Sequence, residues 1–100
     1  MPDPAEKGAA EKEYAHHIEQ GARLRRRAAE LASAVAATEE QVADTLEGVA
    51  EHRGPEDAER LREQAALARD YAAKERDRSA RYAEMARGDG ADDDEEDQGA

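Results

Sequence analysis

Between Tyr14 and Val49 the apolar residues recur at alternating steps of three and four, the spacing of one face of an α-helix. The register runs Tyr14, His17, Gly21, Leu24, Ala28, Leu31, Val35, Thr38, Val42, Thr45, Val49 and His52. Ile18 and Leu46 each follow a register position and widen the stripe on one side. The pattern predicts a first helix over about 11–52, roughly 60 Å long at 1.5 Å per residue. Gly21 and Gly48 weaken it locally, each by about 1 kcal/mol relative to alanine.

The run Arg53-Gly54-Pro55-Glu56-Asp57 then combines a glycine suited to a left-handed helix cap, a proline suited to a first helical position and two first-turn acids. It predicts a turn over 53–55 and a second helix over about 55–87 that carries Ala58, Leu61, Ala65, Ala68, Ala72, Glu75, Ser79, Tyr82 and Ala86 in the same register. So short a connection makes the helices antiparallel neighbours. The expected fold is therefore an all-α, coiled-coil-like antiparallel hairpin over 11–88.

The ends read differently. Pro2, Pro4 and Gly8 suggest a loose N-terminus over 1–10, although Asp3-Pro4-Ala5-Glu6 has the form of a capping box with proline at the first helical position. Gly88-Asp89-Gly90 reads as the stop of the second helix. The run of six acids from Asp92 to Asp97 implies a solvated, disordered acidic tail over 89–100.

Composition limits what such a hairpin can do. Of 38 apolar residues in the 100, 24 are alanine, and only nine are Leu, Val or Ile. Together with a net charge of −11, this small supply of large apolar side chains lies near the territory of disordered chains, while abundant Ala, Glu and Arg favour long helices. An isolated hairpin with so little to bury is close to break-even against the entropy of ordering it. Off-register Ile18, Leu46, Leu67, Tyr71 and Met85 give both helices a face wider than one contact needs. The expectation is self-association into a four-helix bundle through Ile18, Leu24, Leu31, Val35, Val42, Leu46, Val49, Leu61, Leu67, Tyr71, Tyr82 and Met85.

Charge suggests an orientation. From Ala28 to Arg69, the turn end, there are ten acids and four bases, while the open end is net positive. Arg23, Arg25, Arg26 and Arg27 form a basic patch there, expected to face Lys74, Arg76, Arg78 and Arg81. Folding one hairpin would set like against like, whereas two hairpins packed turn to open end would set opposite charges together. An antiparallel homodimer is the favoured assembly, and a helical or acidic protein is the other expected partner.

Chemical sites are sparse. There is no Cys, so no thiolate nucleophile, disulfide or thiolate metal site. Ser33 and Ser79 have no His-acid setting in the sequence, and no glycine-rich phosphate loop occurs. The arginine patch lacks interleaved aromatics and sits on an acidic chain, which argues against nucleic acid. No apolar run is long enough to span a membrane, and the start carries no signal-peptide pattern, so the expected setting is the cytoplasm and no cofactor is implied. Twelve arginines among 15 basic residues, with so much alanine, suggest a GC-rich bacterial source.

Two partial resemblances supply alternatives. Glu13-Tyr14-Ala15-His16 has the Glu-x-x-His spacing of di-iron carboxylate helices and resembles the encapsulated ferritins, which would imply a metal-binding hairpin. That family carries the motif on the second helix, where this chain has no His. The length, hairpin pattern and Tyr71-Ala72-Ala73-Lys74-Glu75 also resemble the WXG100 secretion-substrate family, which would imply a secreted hairpin. His52-Arg53-Gly54 stands where that family has Trp-x-Gly, and Tyr71 lies mid-helix. The primary expectation is a non-enzymatic protein–protein interaction module.

Overall fold

A computed structural model of the chain describes residues 4–90. Two α-helices, α1 (Pro4–Ala50) and α2 (Pro55–Gly90), account for nearly all of them and pack against each other as a helical hairpin, with no strand among the described residues. The tail expected over 89–100 lies outside the described residues from 91 onward.

Both outer helix ends differ from the sequence expectation. α1 starts at Pro4, so 4–10 are helical and not loose. Proline at the first helical position has no N–H to lose and a preset φ, and Glu6 in the first turn complements the helix dipole. These gains outweigh the cost of Gly8. At the other end, α2 continues through Gly88 to Gly90.

The turn is tighter than a left-handed cap. Among the described residues no glycine has positive φ. Instead α1 winds down through His52 N–H to the Val49 carbonyl (3.0 Å) and Arg53 N–H to the Ala50 carbonyl (3.2 Å), bonds of the tighter i→i−3 kind. Gly54 caps the next helix: its carbonyl accepts the Ala58 N–H at 2.9 Å, and Pro55 follows as the first helical residue.

The core is almost entirely alanine. On α1, Ala22, Ala29, Ala36, Ala43 and Ala50 are buried at a strict seven-residue step, joined by Ala32, with half-buried Ile18, Arg25, Glu39 and Leu46 at the alternate positions. On α2 the buried line is Ala58, Ala65, Ala68, Ala72, Glu75 and Ala86, with Leu61, Ser79 and Tyr82 half-buried. The α2 seam is the register read from the sequence. The α1 seam is that register displaced by one residue, so its face is rotated by about 100°.

The physical reason lies in what two long helices gain by close approach. Alanine at the contact lets the axes come to about 8 Å, so that backbone and methyl groups on both sides reach dispersion contact. A leucine-lined seam would hold the axes apart. Ala43, Ala65 and Ala68 make the central cluster with Leu46 against it, and the Ser79 hydroxyl donates to the Ala29 carbonyl at 2.7 Å. These contacts fix the heights of the two helices relative to each other. The nine residues 9–17 of α1, all exposed, run on past the end of α2.

Gly48 sits in the last turn of α1, two residues before its end at Ala50, with open space where a Cβ would go. Gly48→Ala is therefore expected to stabilise the hairpin by about 0.4–1 kcal/mol, raising the thermal midpoint by roughly 2–8 °C. Circular dichroism melts of the two proteins check it. A lower midpoint for the alanine variant would contradict the open surroundings of this position.

Candidate interaction surface

Rotating the α1 seam by one residue changes the fate of the large apolar side chains. Leu24, Leu31, Val35, Val42 and Val49 all lie outside the hairpin core and are exposed, Leu24 to 70%. On α2 the same holds for Leu67, also at 70%, Tyr71 and Met85. Ile18, Leu46, Leu61 and Tyr82 are half-buried at the seam. The twelve candidate residues thus divide into four that help close the hairpin and eight that its folding leaves uncovered.

The outward residues of both helices fall on the same side. Each is one position before a seam residue: Val35 before Ala36, Val42 before Ala43, Leu67 before Ala68 and Tyr71 before Ala72. Val35, Val42, Leu46, Leu67, Ala68 and Tyr71 line one open groove between the helices, with Glu39 and Gln64 at its margin. The outward stripe of α1 continues along Thr38, Gln41 and Thr45, which border a second, smaller depression with Val42 and Leu46. From Ala28 to Val49 this stripe carries no charge along its line of Ala28, Leu31, Val35, Thr38, Val42, Thr45 and Val49.

The opposite side of the hairpin is an ionic edge. Residues one position after the seam meet there: Arg69 donates to Glu47 Oε2 (2.9 Å) and Asp44 Oδ1 (2.9 Å), and Arg76 donates to Glu40 Oε1 at 2.6 Å. The Glu47 and Asp44 carboxylates hold the Arg69 guanidinium pKa above its ordinary value. A raised pKa on an arginine contributes stability that is fully present below its ordinary value, so it adds no pH dependence near neutrality. The two long edges of the hairpin are therefore unlike: one carries ion pairs between α1 and α2, and the other is apolar and open along α1, while on α2 Lys74, Arg78 and Arg81, each one position before a seam residue, share that side with Leu67, Tyr71 and Met85.

This pairing corrects the expectation that folding sets like charge against like. Arg69 and Arg76 reach α1 acids across the seam, whereas the contacts of Lys74 with Asp70 (4.0 Å) and of Arg78 with Glu75 (3.7 Å) lie within α2. Net charge summed over a segment does not govern such contacts; the position of each residue relative to the seam does. Arg23, Arg26 and Arg27 are exposed, and Arg25 occupies a half-buried seam position. Glu75, the one buried charged residue among those described, keeps Arg78 one turn away as its counter-charge.

Comparison with family models, curated proteins and solved structures finds no match for this chain. The site must be read from its own chemistry.

Glu13 and His16 are exposed on the part of α1 beyond α2, and the His16 and His17 rings lie 6.2 Å apart, tilted at 52°. Among the described residues no group of three or more His, Asp or Glu side chains is placed to hold a metal ion. No described helix is long and apolar enough to cross a membrane. Tyr71 of the Tyr71–Glu75 motif is half-way along α2 and lines the apolar groove.

Sequence reasoning placed the large apolar residues at an interface but assigned the α1 set to the hairpin's own contact. The missed signal was the seven-residue alanine ladder from Ala22 to Ala50, hidden because alanine carries little weight in a search for hydrophobic period.

Proposed function

We propose that this chain is a non-enzymatic protein–protein interaction module, an adaptor, scaffold or small regulatory subunit that presents one flat apolar face of a helical hairpin. The observation that carries this reading is the division of labour among its apolar residues: mainly alanines hold α1 to α2, while eight of the twelve large apolar side chains stay uncovered, each one position before a seam residue. Leaving Leu24, Leu31 and Leu67 in water forfeits about 1.5–3 kcal/mol for each that burial would gain. A contiguous apolar face with polar margins is the usual mark of a docking surface. Its two-helix groove suits a helical partner laid lengthwise, with side chains three and four apart entering it.

A photo-crosslinking amino acid placed in the full chain, in living cells, tests the reading. Positions Val42 and Leu67 on the apolar face are expected to give adducts of discrete mass, and Glu59, exposed on α2, none. The reading fails if positions 42 and 67 yield no adduct, or if position 59 yields the same ones.

A further inference from the structure

Resting on the interaction-module reading, we infer that the partner on this face is an acidic amphipathic helix, its apolar side in the groove and its carboxylates on Lys74, Arg78 and Arg81.

The face is basic on an acidic chain. Although the chain as a whole carries −11, the α1 row one position before the seam has no Asp, Glu, Lys or Arg from His17 to Val49. The matching row of α2 has no acid from Gln64 to Met85 and three bases, Lys74, Arg78 and Arg81. Nearer the turn, Asp57 and Arg60 of the same row pair at 3.3 Å and cancel. The acid at the groove's margin is Glu39, at a half-buried seam position. Closing the hairpin does not use these three bases, because the ion pairs across α1 and α2 are those of Arg69 and Arg76 on the opposite edge.

The bases are also free to take a counter-charge. Lys74 and Arg78 have side chains 77% and 57% exposed, and their contacts with Asp70 (4.0 Å) and Glu75 (3.7 Å) are longer than hydrogen bonds. Arg81 is exposed and makes no ion pair with another described residue. Their spacing of four and then three residues puts all three on one stripe of α2, where a helix with acids at the same steps meets them in turn.

Apolar and basic parts lie end to end. The groove of Val35, Val42, Leu67 and Tyr71 is toward the turn, whereas the bases stand toward the open end, level with Leu24, Ala28 and Leu31, since Ser79 meets Ala29 across the seam. From Leu67 to Arg81 is about 21 Å of helix axis, so about four turns of a partner helix span both parts.

Other occupants lack one half of this chemistry. A second copy brings the same three bases on its own face and no row of acids to meet them. The acidic segment 92–97 of this chain has no apolar residue to fill the groove. An anionic bilayer is flat, so it leaves the slot between the helices empty, and it repels the many acids elsewhere on the chain.

Two synthetic helices of about 20 residues serve as probes, with leucines at steps of three and four on one side and either Glu or Gln flanking them. In fluorescence titrations of the full chain the Glu helix is expected to bind about tenfold tighter than the Gln helix in about 50 mM salt, and less than about threefold tighter in about 500 mM. Lys74→Glu with Arg81→Glu is expected to erase the preference while leaving the affinity for the Gln helix within about threefold, since both positions are exposed. Arg78 is kept, because it is the counter-charge of buried Glu75. Arg23→Glu with Arg26→Glu, the same change of charge on the opposite edge, is expected to leave the preference intact.

Equal binding of the two helices, binding of neither, or the same loss in both double variants overturns the proposal. So does tighter binding to vesicles of phosphatidylcholine with about 20% phosphatidylserine, which assigns the face to a membrane. In cells, adducts from positions 42 and 67 that Lys74→Glu with Arg81→Glu leaves undiminished keep the interaction reading and overturn the acidic partner. Adducts of twice 10.9 kDa that contain only this chain assign the face to a second copy. Absence of any adduct overturns the interaction reading itself.

Discussion

Ala36→Leu is expected to cost the hairpin at least about 2–3 kcal/mol, and the same substitution at the next residue, Ala37→Leu, less than about 0.5 kcal/mol. Both positions are alanine in mid-helix, and leucine is almost as good a helix former, so intrinsic propensity cancels between them. What differs is the neighbourhood: Ala36 is 0% exposed in the seam and Ala37 is exposed. Three extra carbons at position 36 have no space to enter without pushing α2 away, and that separation breaks the alanine contacts along the seam on either side. Thermal melts followed by circular dichroism should show a drop of more than about 10 °C for the first variant and almost none for the second. Equal midpoints would mean that the seam does not run through Ala36.

The second large effect is expected at the apolar face. Leu24→Asp combined with Val42→Asp should leave the helical signal intact, because both positions lie outside the hairpin core. Docking on this face should weaken at least about a hundredfold, since two carboxylates would then be buried in place of two apolar side chains. The yield of adducts from a photo-crosslinking amino acid at Leu67 should fall to near background in the same variant. An undiminished adduct yield at position 67 would show that residues 24 and 42 lie outside the docking surface.

Much of the hairpin was legible from local chemistry. The turn at Gly54-Pro55 and the α2 seam from Ala58 to Ala86 follow from residue types at adjacent positions, which act over one or two helical turns. The start of α1 was legible too, in Pro4 and Glu6, but required weighing a good first turn against one glycine. The choice of seam on α1 was not. Two faces one residue apart both have helical period, one richer in large side chains and the other in alanine, and period alone favours the larger.

By itself the sequence determined that this protein is two long helices joined by a tight turn, since propensity, capping and period act locally and agree there. Only the tertiary structure decided which α1 face meets α2. That choice depends on how near two backbones can come, a property of the pair and not of either helix. Once the alanines take the inside, Leu24, Leu31, Val35, Val42, Leu67 and Met85 are left together on the outside, and the ionic pairs of Arg69 and Arg76 close the other edge.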